Sequence, residues 1–376
     1  MSEWKTVPLT DVLDFQEGPG IMARDFRDKG VPLLRLAGLK RNAPLLAGCN
    51  YLDPEAVAKR WGHFRLLKGD VLLSTSASLG EVAIVDDSAV GAIAYTGIIR
   101  FRPKNSTIDA TFIEYMLQAP SFKQQIEAMG VGSVMKHFGP MHLRQMTVNA
   151  PLPRDQQAIA AVLGAVDEKI AVNERIAAAA LELGGVKFQF LRRLANEEVV
   201  VGDLVELKYG KSLPAARRIA GDIPVFGSGG TSGSHNEPLV KGPGIIIGRK
   251  GTVGSVYWSE VDFFPIDTTF YVASKNSKAS LEYMYFALRG LGLERMNSDS
   301  AVPGLNRDRA QSLSLRIPAS DAMQEFTAEA RNLFQLQRSC EEENHALAAL
   351  RDTLLPQLMS GRLRVKDAEK IVEDHV

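Results

Sequence analysis

Apolar positions along this chain alternate between two periods, and the alternation happens twice. Strand-like segments fill the first 150 residues, and a helical stretch over 155–183 follows them. A second strand-rich stretch then leads to a second helical stretch over 321–355. In both helical stretches the apolar residues step by four and three, the spacing of a helix that buries one narrow seam. Shifting the first stretch by 167 residues lays Ile159 on Phe326, Leu163 on Ala330 and Val166 on Leu333. The same shift lays Ile170 on Gln337 and Ala180 on Leu347. The expected seam comprises Ile159, Leu163, Val166, Ile170, Phe326, Leu333 and Leu347. Asn173, Gln337 and Asn344 are polar residues within it that could fix register. About 30 residues of helix span roughly 45 Å. The bland alternative is two amphipathic helices, each lying on its own domain. The alanine run 177–180 permits close approach of a further helix or simply favours helix.

The strand-rich stretches also match. Gly69-Asp-Val-Leu-Leu-Ser74 parallels Gly244-Ile-Ile-Ile-Gly248, and Ser78-Leu-Gly80-Glu-Val-Ala-Ile-Val85 parallels Thr252-Val-Gly254-Ser-Val-Tyr-Trp258. Each pair reads as strand, glycine turn, strand, a hairpin pattern. Short helices are expected over 109–129 and 280–296, each followed by a loop rich in Gly, Ser and basic residues. Proline-containing strands, 146–153 and 313–318, precede the long helices. The expected order is therefore globular domain, long helix, globular domain, long helix. A pseudo-two-fold relation would pair the helices antiparallel and hold the two domains a fixed distance apart. Two similar readers at fixed spacing suit a long periodic ligand, and DNA is the obvious one.

The C-terminal run Leu350-Arg-Asp-Thr-Leu-Leu-Pro356-Gln-Leu-Met-Ser-Gly361-Arg-Leu-Arg-Val365 resembles the closing signature of specificity subunits of type I restriction–modification systems. Ile223-Pro-Val-Phe-Gly-Ser-Gly229-Gly, Ile245-Ile-Ile-Gly-Arg-Lys-Gly251-Thr-Val-Gly254 and Ile266-Asp-Thr resemble one of that family's target-recognition domains. The opening Trp4-Lys-Thr-Val-Pro-Leu-Thr-Asp-Val-Leu13 with Gly69-Asp70-Val-Leu resembles the start of another. The resemblance implies an α+β fold with two tandem mixed α/β target-recognition domains, separated and joined by two long helices in an antiparallel coiled coil. It places the first such domain at 1–152, a central conserved helical region at 153–195, the second domain at 196–319 and a C-terminal conserved helical region at 320–376. It also implies that each domain reads one half of a bipartite, asymmetric site in double-stranded DNA. The helices would set the spacer and dock two modification (adenine methyltransferase) subunits, and motor-nuclease restriction subunits could join. The chain itself would perform no chemistry. One departure is Gly184-Gly-Val-Lys-Phe-Gln-Phe-Leu-Arg-Arg-Leu194, which only faintly echoes the C-terminal run.

Composition sets bounds on this reading. The 376 residues are 45% hydrophobic and 23% charged, which suits two or three globular domains. No run approaches about 18 consecutive apolar residues, and no apolar leader opens the chain, so no membrane is expected. Two cysteines far apart, Cys49 and Cys340, fit a reducing, cytoplasmic setting and exclude a disulfide framework. Net charge is zero; the segment 319–376 carries 7 Lys+Arg against 11 Asp+Glu, leaving +4 on the remainder. That neither reveals a basic face nor excludes one.

Catalytic patterns are missing, and no cofactor or metal is expected. Tyr209-Gly-Lys-Ser212 matches the end of a phosphate-binding loop, but Val205 stands where its first glycine belongs. His137 and His142 are five apart, the wrong interval for one helical face. DNA contacts call for Arg and Lys toward phosphates and polar loop residues toward base edges. The candidates in the first domain are Arg24, Arg27, Lys40, Arg41, Ser76, Ser78, Ser133, Lys136 and His137. In the second they are Lys211, Arg217, Arg218, Ser228, Thr231, Ser232, His235, Arg249, Lys250, Thr252, Asn306 and Arg307. Arg249 and Lys250 lead, as a basic hairpin tip expected to project from its sheet. Each candidate could instead be a solvated surface residue or a turn former. The competing functions are a coiled-coil adaptor whose globular domains bind proteins, and an enzyme of unknown chemistry.

Overall fold

The structure is a computed structural model that describes residues 4–40, 43–76, 79–129, 138–296 and 304–375. Its contacts divide the chain into two units: residues 1–170 with 346–376, and residues 171–345. The boundary cuts both long helices, Pro153–Leu194 and Ser320–Met359, so each unit holds one portion of each.

Among the described residues the first unit has strands β1 (Lys5–Pro8), β2 (Leu13–Glu17), β3 (Phe26–Arg27), β4 (Val31–Leu34), β5 (Asn50–Leu52), β6 (Val71–Ser74), β7 (Val82–Ile84), β8 (Ile93–Ala94), β9 (Ile98–Pro103) and β10 (Thr147–Ala150). They form a β1-β10 ribbon, a sheet in the order β2-β9-β6-β7 and a sheet in the order β3-β5-β4-β8. Among its described residues the second unit has β11 (Glu197–Val200), β12 (Val205–Tyr209), β13 (Ile223–Gly227), β14 (Gly230–His235), β15 (Gly244–Gly248), β16 (Val256–Ser259), β17 (Phe264–Pro265), β18 (Thr269–Ser274) and β19 (Ser314–Ile317). They form a β11-β19 ribbon, a sheet β12-β18-β15-β16 and a sheet β14-β13-β17. The hairpins expected at 69–85 and 244–258 are β6-β7 and β15-β16, both antiparallel.

The two units repeat down to register. Leu13 pairs with Pro103 and Glu17 with Ile99; Val205 pairs with Ser274 and Tyr209 with Phe270. Each second sheet contains one parallel pair, β4 with β8 and β13 with β17. The residues leaving the edge strands, Gly18 and Gly210, occupy matching places. A Cβ on Gly18 would collide with the carbonyl oxygen of Ala94, and one on Gly210 with that of Ile266. Only glycine lets the backbone pass so close to those carbonyls.

Helices differ from expectation in several places: the stretch 280–296 is the helix Leu281–Gly290 followed by a short turn Leu293–Arg295, and the second long helix runs on to Met359. The stretch 109–129 is two helices, Ala110–Gln118 and Pro120–Met129, because Pro120 lacks the amide and clashes with the preceding turn. A further helix, Val365–Glu373, buries Ala368 and Val372. The first long helix runs on to Leu194 through Gly184 and Gly185. A Cβ on Gly184 would lie 2.5 Å from the Phe286 ring, so this glycine seats the helix against an aromatic core. That core joins Phe188, Tyr283, Phe286, Phe326 and Phe334, with Trp258 stacked on Phe334 at 4.4 Å. Leu333 is only half-buried, and Phe334 takes the inward place expected for it. Phe326 is buried with this cluster. Ile159, Leu163, Val166, Ile170 and Leu347 are buried in the core of the first unit.

Polar contacts join the long helices within each unit. In the second, Asn173 Nδ2 donates to Asn344 Oδ1 at 3.0 Å and to Glu343 Oε2 at 2.7 Å, while Lys187 pairs with Glu329 at 2.9 Å. In the first, Arg351 Nη1 donates to Asp167 Oδ1 at 2.7 Å, and Tyr115 Oη donates to Asp167 Oδ2 at 3.0 Å. Glu114, one residue before Tyr115, shares this surrounding. Burial and the Asp167 charge push its carboxyl up to about 7, against the opposing pull of Arg351.

Two stability predictions follow from this packing. Gly184→Ala lowers stability by about 1–3 kcal/mol, read from the urea unfolding midpoint, through overpacking against Phe286. Gly185→Ala, with nothing near its Cβ, raises it by about 0.5–1 kcal/mol through helix propensity; equal shifts at both would refute the packing account. The second concerns pH. Folded Glu114 holds a proton that the unfolded chain releases near its ordinary 4.5, so stability falls as pH rises from about 4.5 through about 7. Denaturation across that range should show a loss on the order of 2 kcal/mol, allowing for residual solvation. Glu114→Gln should flatten it.

Candidate nucleic-acid interface

Basic and aromatic side chains meet at the open end of β12 in the second unit. Tyr209, its last residue, is 51% exposed although its backbone pairs with Phe270. The Arg249 guanidinium sits 5.3 Å from the Tyr209 ring centre and 6.0 Å from that of Phe270. The Arg307 guanidinium lies 5.5 Å from the Tyr209 ring. Stacking of this kind holds a guanidinium plane in place, so less entropy is lost when it binds a further partner.

Backbone contacts assemble the cluster. Arg249 and Lys250 follow β15, and both amides donate to Thr268 O, at 2.9 and 3.1 Å. The Leu305 amide donates to Arg249 O at 2.9 Å, and Lys250 bridges Gly304, which draws the segment before Arg307 against the hairpin. Asn306 caps the helix Arg307–Gln311 by accepting from the Arg309 amide at 2.9 Å. Lys211 is exposed, two residues beyond Tyr209.

The structure therefore brings together Lys211, Arg249, Lys250, Asn306 and Arg307 from the second-unit candidates. Arg249 does not project as expected: its Nε and Nη2 donate to Asp267 O at 3.2 and 2.6 Å, folding it onto the aromatic rings. Ser228 and Thr252 sit where the loop after β13 meets the hairpin turn. Ser228 O accepts from Ser255 Oγ at 2.7 Å and from Tyr257 Oη at 3.1 Å. Thr231 and Ser232 are exposed on β14, and Arg217 is exposed in the turn Ala215–Arg217. Arg218 turns inward, donating to Ser232 O and, at 3.4 Å, to Leu213 O. His235 departs from an exposed contact: it is buried, its Nδ1 accepts from the Ile219 amide at 3.1 Å, and its ring meets Phe264 edge-on. It braces the turn that carries Arg217 and Arg218.

Among the described residues of the first unit, four of the candidates are placed. Arg24 is exposed in the turn Ala23–Asp25, and Arg27 donates back to Arg24 O at 3.0 Å. Lys40 is exposed after the turn Leu36–Leu39, and Ser76 is half-buried beside Gly97. Arg41, Ser78, Ser133, Lys136 and His137 lie outside the described residues. Tyr209 is the functional candidate that residue-type reasoning missed. Its signal was its place, an aromatic before a glycine at the end of an edge strand.

Among the described residues no group of His, Cys, Asp and Glu could hold a metal ion, and no helix is long and apolar enough to cross a membrane.

Residues 1–182 and 195–348 match the protein family described as type I restriction modification DNA specificity domain. The type I restriction enzyme MjaIX specificity subunit of Methanocaldococcus jannaschii is 25% identical over 348 residues, spanning 80% of this chain and 79% of its own length. The MjaVIII specificity subunit of the same organism is 24% identical over 177 residues, covering 46% of this chain and 41% of the relative, so that match spans under half of each. The crystal structure of the type I restriction–modification system S subunit from M. genitalium superposes with a TM-score of 0.59. It covers 95% of this chain and 96% of its own at 19% identity, a likeness of fold.

Proposed function

The chain belongs to the family of type I restriction–modification DNA specificity domains, and we propose that it is the non-catalytic DNA-reading subunit of such a complex. One target-recognition domain, residues 1–152, reads one half of a bipartite asymmetric site, and another, residues 196–319, reads the other half. The central helical region 153–195 and the C-terminal region 320–376 form an antiparallel coiled coil that sets the spacer. Two adenine methyltransferase subunits dock on these helices, motor-nuclease subunits join the assembly, and the complex works in the cytoplasm on double-stranded DNA.

The observation that carries this reading is the repeated sheet, because one scaffold built twice with different side chains suits two different half-sites. The repeat extends through β2-β9-β6-β7 and β12-β18-β15-β16 with matching register. Support for the helix pair comes from the contacts within each unit. Asn173 with Asn344 and Lys187 with Glu329 advance in opposite directions along the two helices, as antiparallel neighbours do. Support for docking comes from an apolar stripe on the first long helix: Leu183, Val186, Phe190 and Leu194 are 45%, 61%, 65% and 58% exposed. Apolar side chains at steps of three and four, left in water, suit a partner helix.

Assembly with modification subunits, followed by mapping of methylated adenines, tests the reading. A split motif with a fixed gap supports it; a chain that joins no methyltransferase and binds no duplex would overturn it and leave the adaptor. Two sharper outcomes follow. Inserting one heptad into both long helices should change the tolerated gap while leaving each half-site sequence unchanged. Alanine at Arg249 and Lys250 together should weaken binding through one half-site by about tenfold or more and spare the other. Titration of duplexes altered in one half at a time, at fixed salt, reads this directly.

A further inference from the structure

The shared register lets the two units be compared position by position where the edge strand ends. Glu17 closes β2 opposite Ile99 as Tyr209 closes β12 opposite Phe270, and Gly18 and Gly210 follow in the same tight approach to a carbonyl. The neighbours correspond as well. The Thr75 amide donates to Gly97 O, and the Phe138 amide donates to Thr75 O. The Arg249 amide donates to Thr268 O, and the Leu305 amide donates to Arg249 O. Thr75 therefore stands where Arg249 stands. Pro140 opens the helix Pro140–Leu143 as Arg307 opens Arg307–Gln311.

Among the described residues, the chemistry at this shared place is opposite. The second unit sets two guanidiniums against an exposed ring. The first sets a half-buried carboxylate with Thr and Pro in place of the arginines. Glu17 Oε1 accepts from the Gly97 amide at 3.1 Å and from Thr96 Oγ1 at 3.3 Å, which fixes the direction of the carboxylate. Beside a DNA backbone a carboxylate is repelled by phosphate, so its useful partner is a donor. The exocyclic amino group of a base is such a donor in the major groove. Guanidiniums make the converse choice and take acceptors, either the guanine O6/N7 edge or a phosphate oxygen.

Resting on the specificity-subunit reading, we propose that this strand-end position determines specificity in both units. Glu17 accepts from a base amino group in one half-site, and Arg249 and Arg307, flanking Tyr209, take acceptors in the other. The same backbone geometry then reads opposite hydrogen-bond polarity in the two halves, which makes the combined site asymmetric.

The experiment uses the full chain assembled with its modification subunits, acting on duplex libraries randomised in one half-site at a time. Wild type, Glu17→Gln and the double variant Arg249→Ala with Arg307→Ala are compared by methylated-adenine mapping and by binding at several salt concentrations. Glu17→Gln keeps an oxygen to accept from the Gly97 amide, and an unchanged unfolding midpoint confirms its fold. The expected result is a loss of about tenfold or more in discrimination at one base position of one half-site, with the other half unchanged. The arginine double variant should alter the other half. Relaxed choice at one base there assigns the arginines to a guanine edge. Uniform weakening across all bases, with a salt slope shallower by about one per arginine, places them on phosphates and overturns the claim of specificity for the second unit. Unchanged discrimination for Glu17→Gln, or an unchanged motif and salt slope for the arginine variant, overturns the proposal. If wild type itself yields no split motif, the specificity-subunit reading fails first, and the two failures are told apart by that control.

Discussion

The antiparallel ladder between β2 and β9, repeated between β12 and β18, is the constraint on which the remaining geometry rests. In a strand, side chains alternate between faces, so a slip of one residue would turn every one of them over. Buried Leu13 and Val205 start the two edge strands in the same register, and four residues later the chain delivers Glu17 and Tyr209 to the same point. Gly18 and Gly210 then hold the exit path against a parallel strand's carbonyls. Scaffold and variable chemistry are thereby separated. The apolar residues fix where position 17 or 209 lies, and the residue placed there costs the fold little because it is only partly buried.

The long helices obey a second constraint of the same kind. Aromatic side chains of the helix Leu281–Gly290 need room beneath the first long helix, and Gly184 supplies it by having no Cβ. Two adjacent glycines in a helical pattern look like a stop because each costs about 1 kcal/mol relative to Ala. Burial of Phe188, Tyr283 and Phe286 around that point outweighs such a cost several times over, since a fully buried large apolar side chain contributes about 1.5–3 kcal/mol. Tertiary packing therefore carries the helix on to Leu194.

That competition explains what was legible in the sequence. Alternation of strand-rich and helical segments, the two hairpins and the proline-marked strands before each long helix all follow from local period and turn chemistry, and those elements are present. The spacing of the first helix puts Leu333 inward, but Phe334 stacks on the flat face of Trp258 instead. His235, polar and in a glycine-rich run, looked solvent-facing; only the fold reveals the Ile219 amide waiting for its ring nitrogen. Tyr209 and Glu17 were hidden by arithmetic. Leu13 to Val205 and Leu34 to Phe226 are both 192 residues apart, whereas the long helices match at 167, so an offset chosen on the helices cannot align the strand ends.

Zero net charge looks like an obstacle for a DNA reader, and the proposed pair of sites would explain why it need not be. Affinity for a duplex comes chiefly from counterion release at phosphates and scales with the number of cations brought near. Discrimination comes from a few correctly aimed donors and acceptors, whose signs depend on the bases being read. A subunit that works inside an assembly can leave much of the first task to its partners and keep the second. Its own surface would then carry both signs where bases are read: Arg249 and Arg307 around Tyr209 in one unit, Glu17 in the other. A uniformly basic face at both places would bind more tightly and distinguish less, because a carboxylate is the group that rejects a base lacking an amino donor.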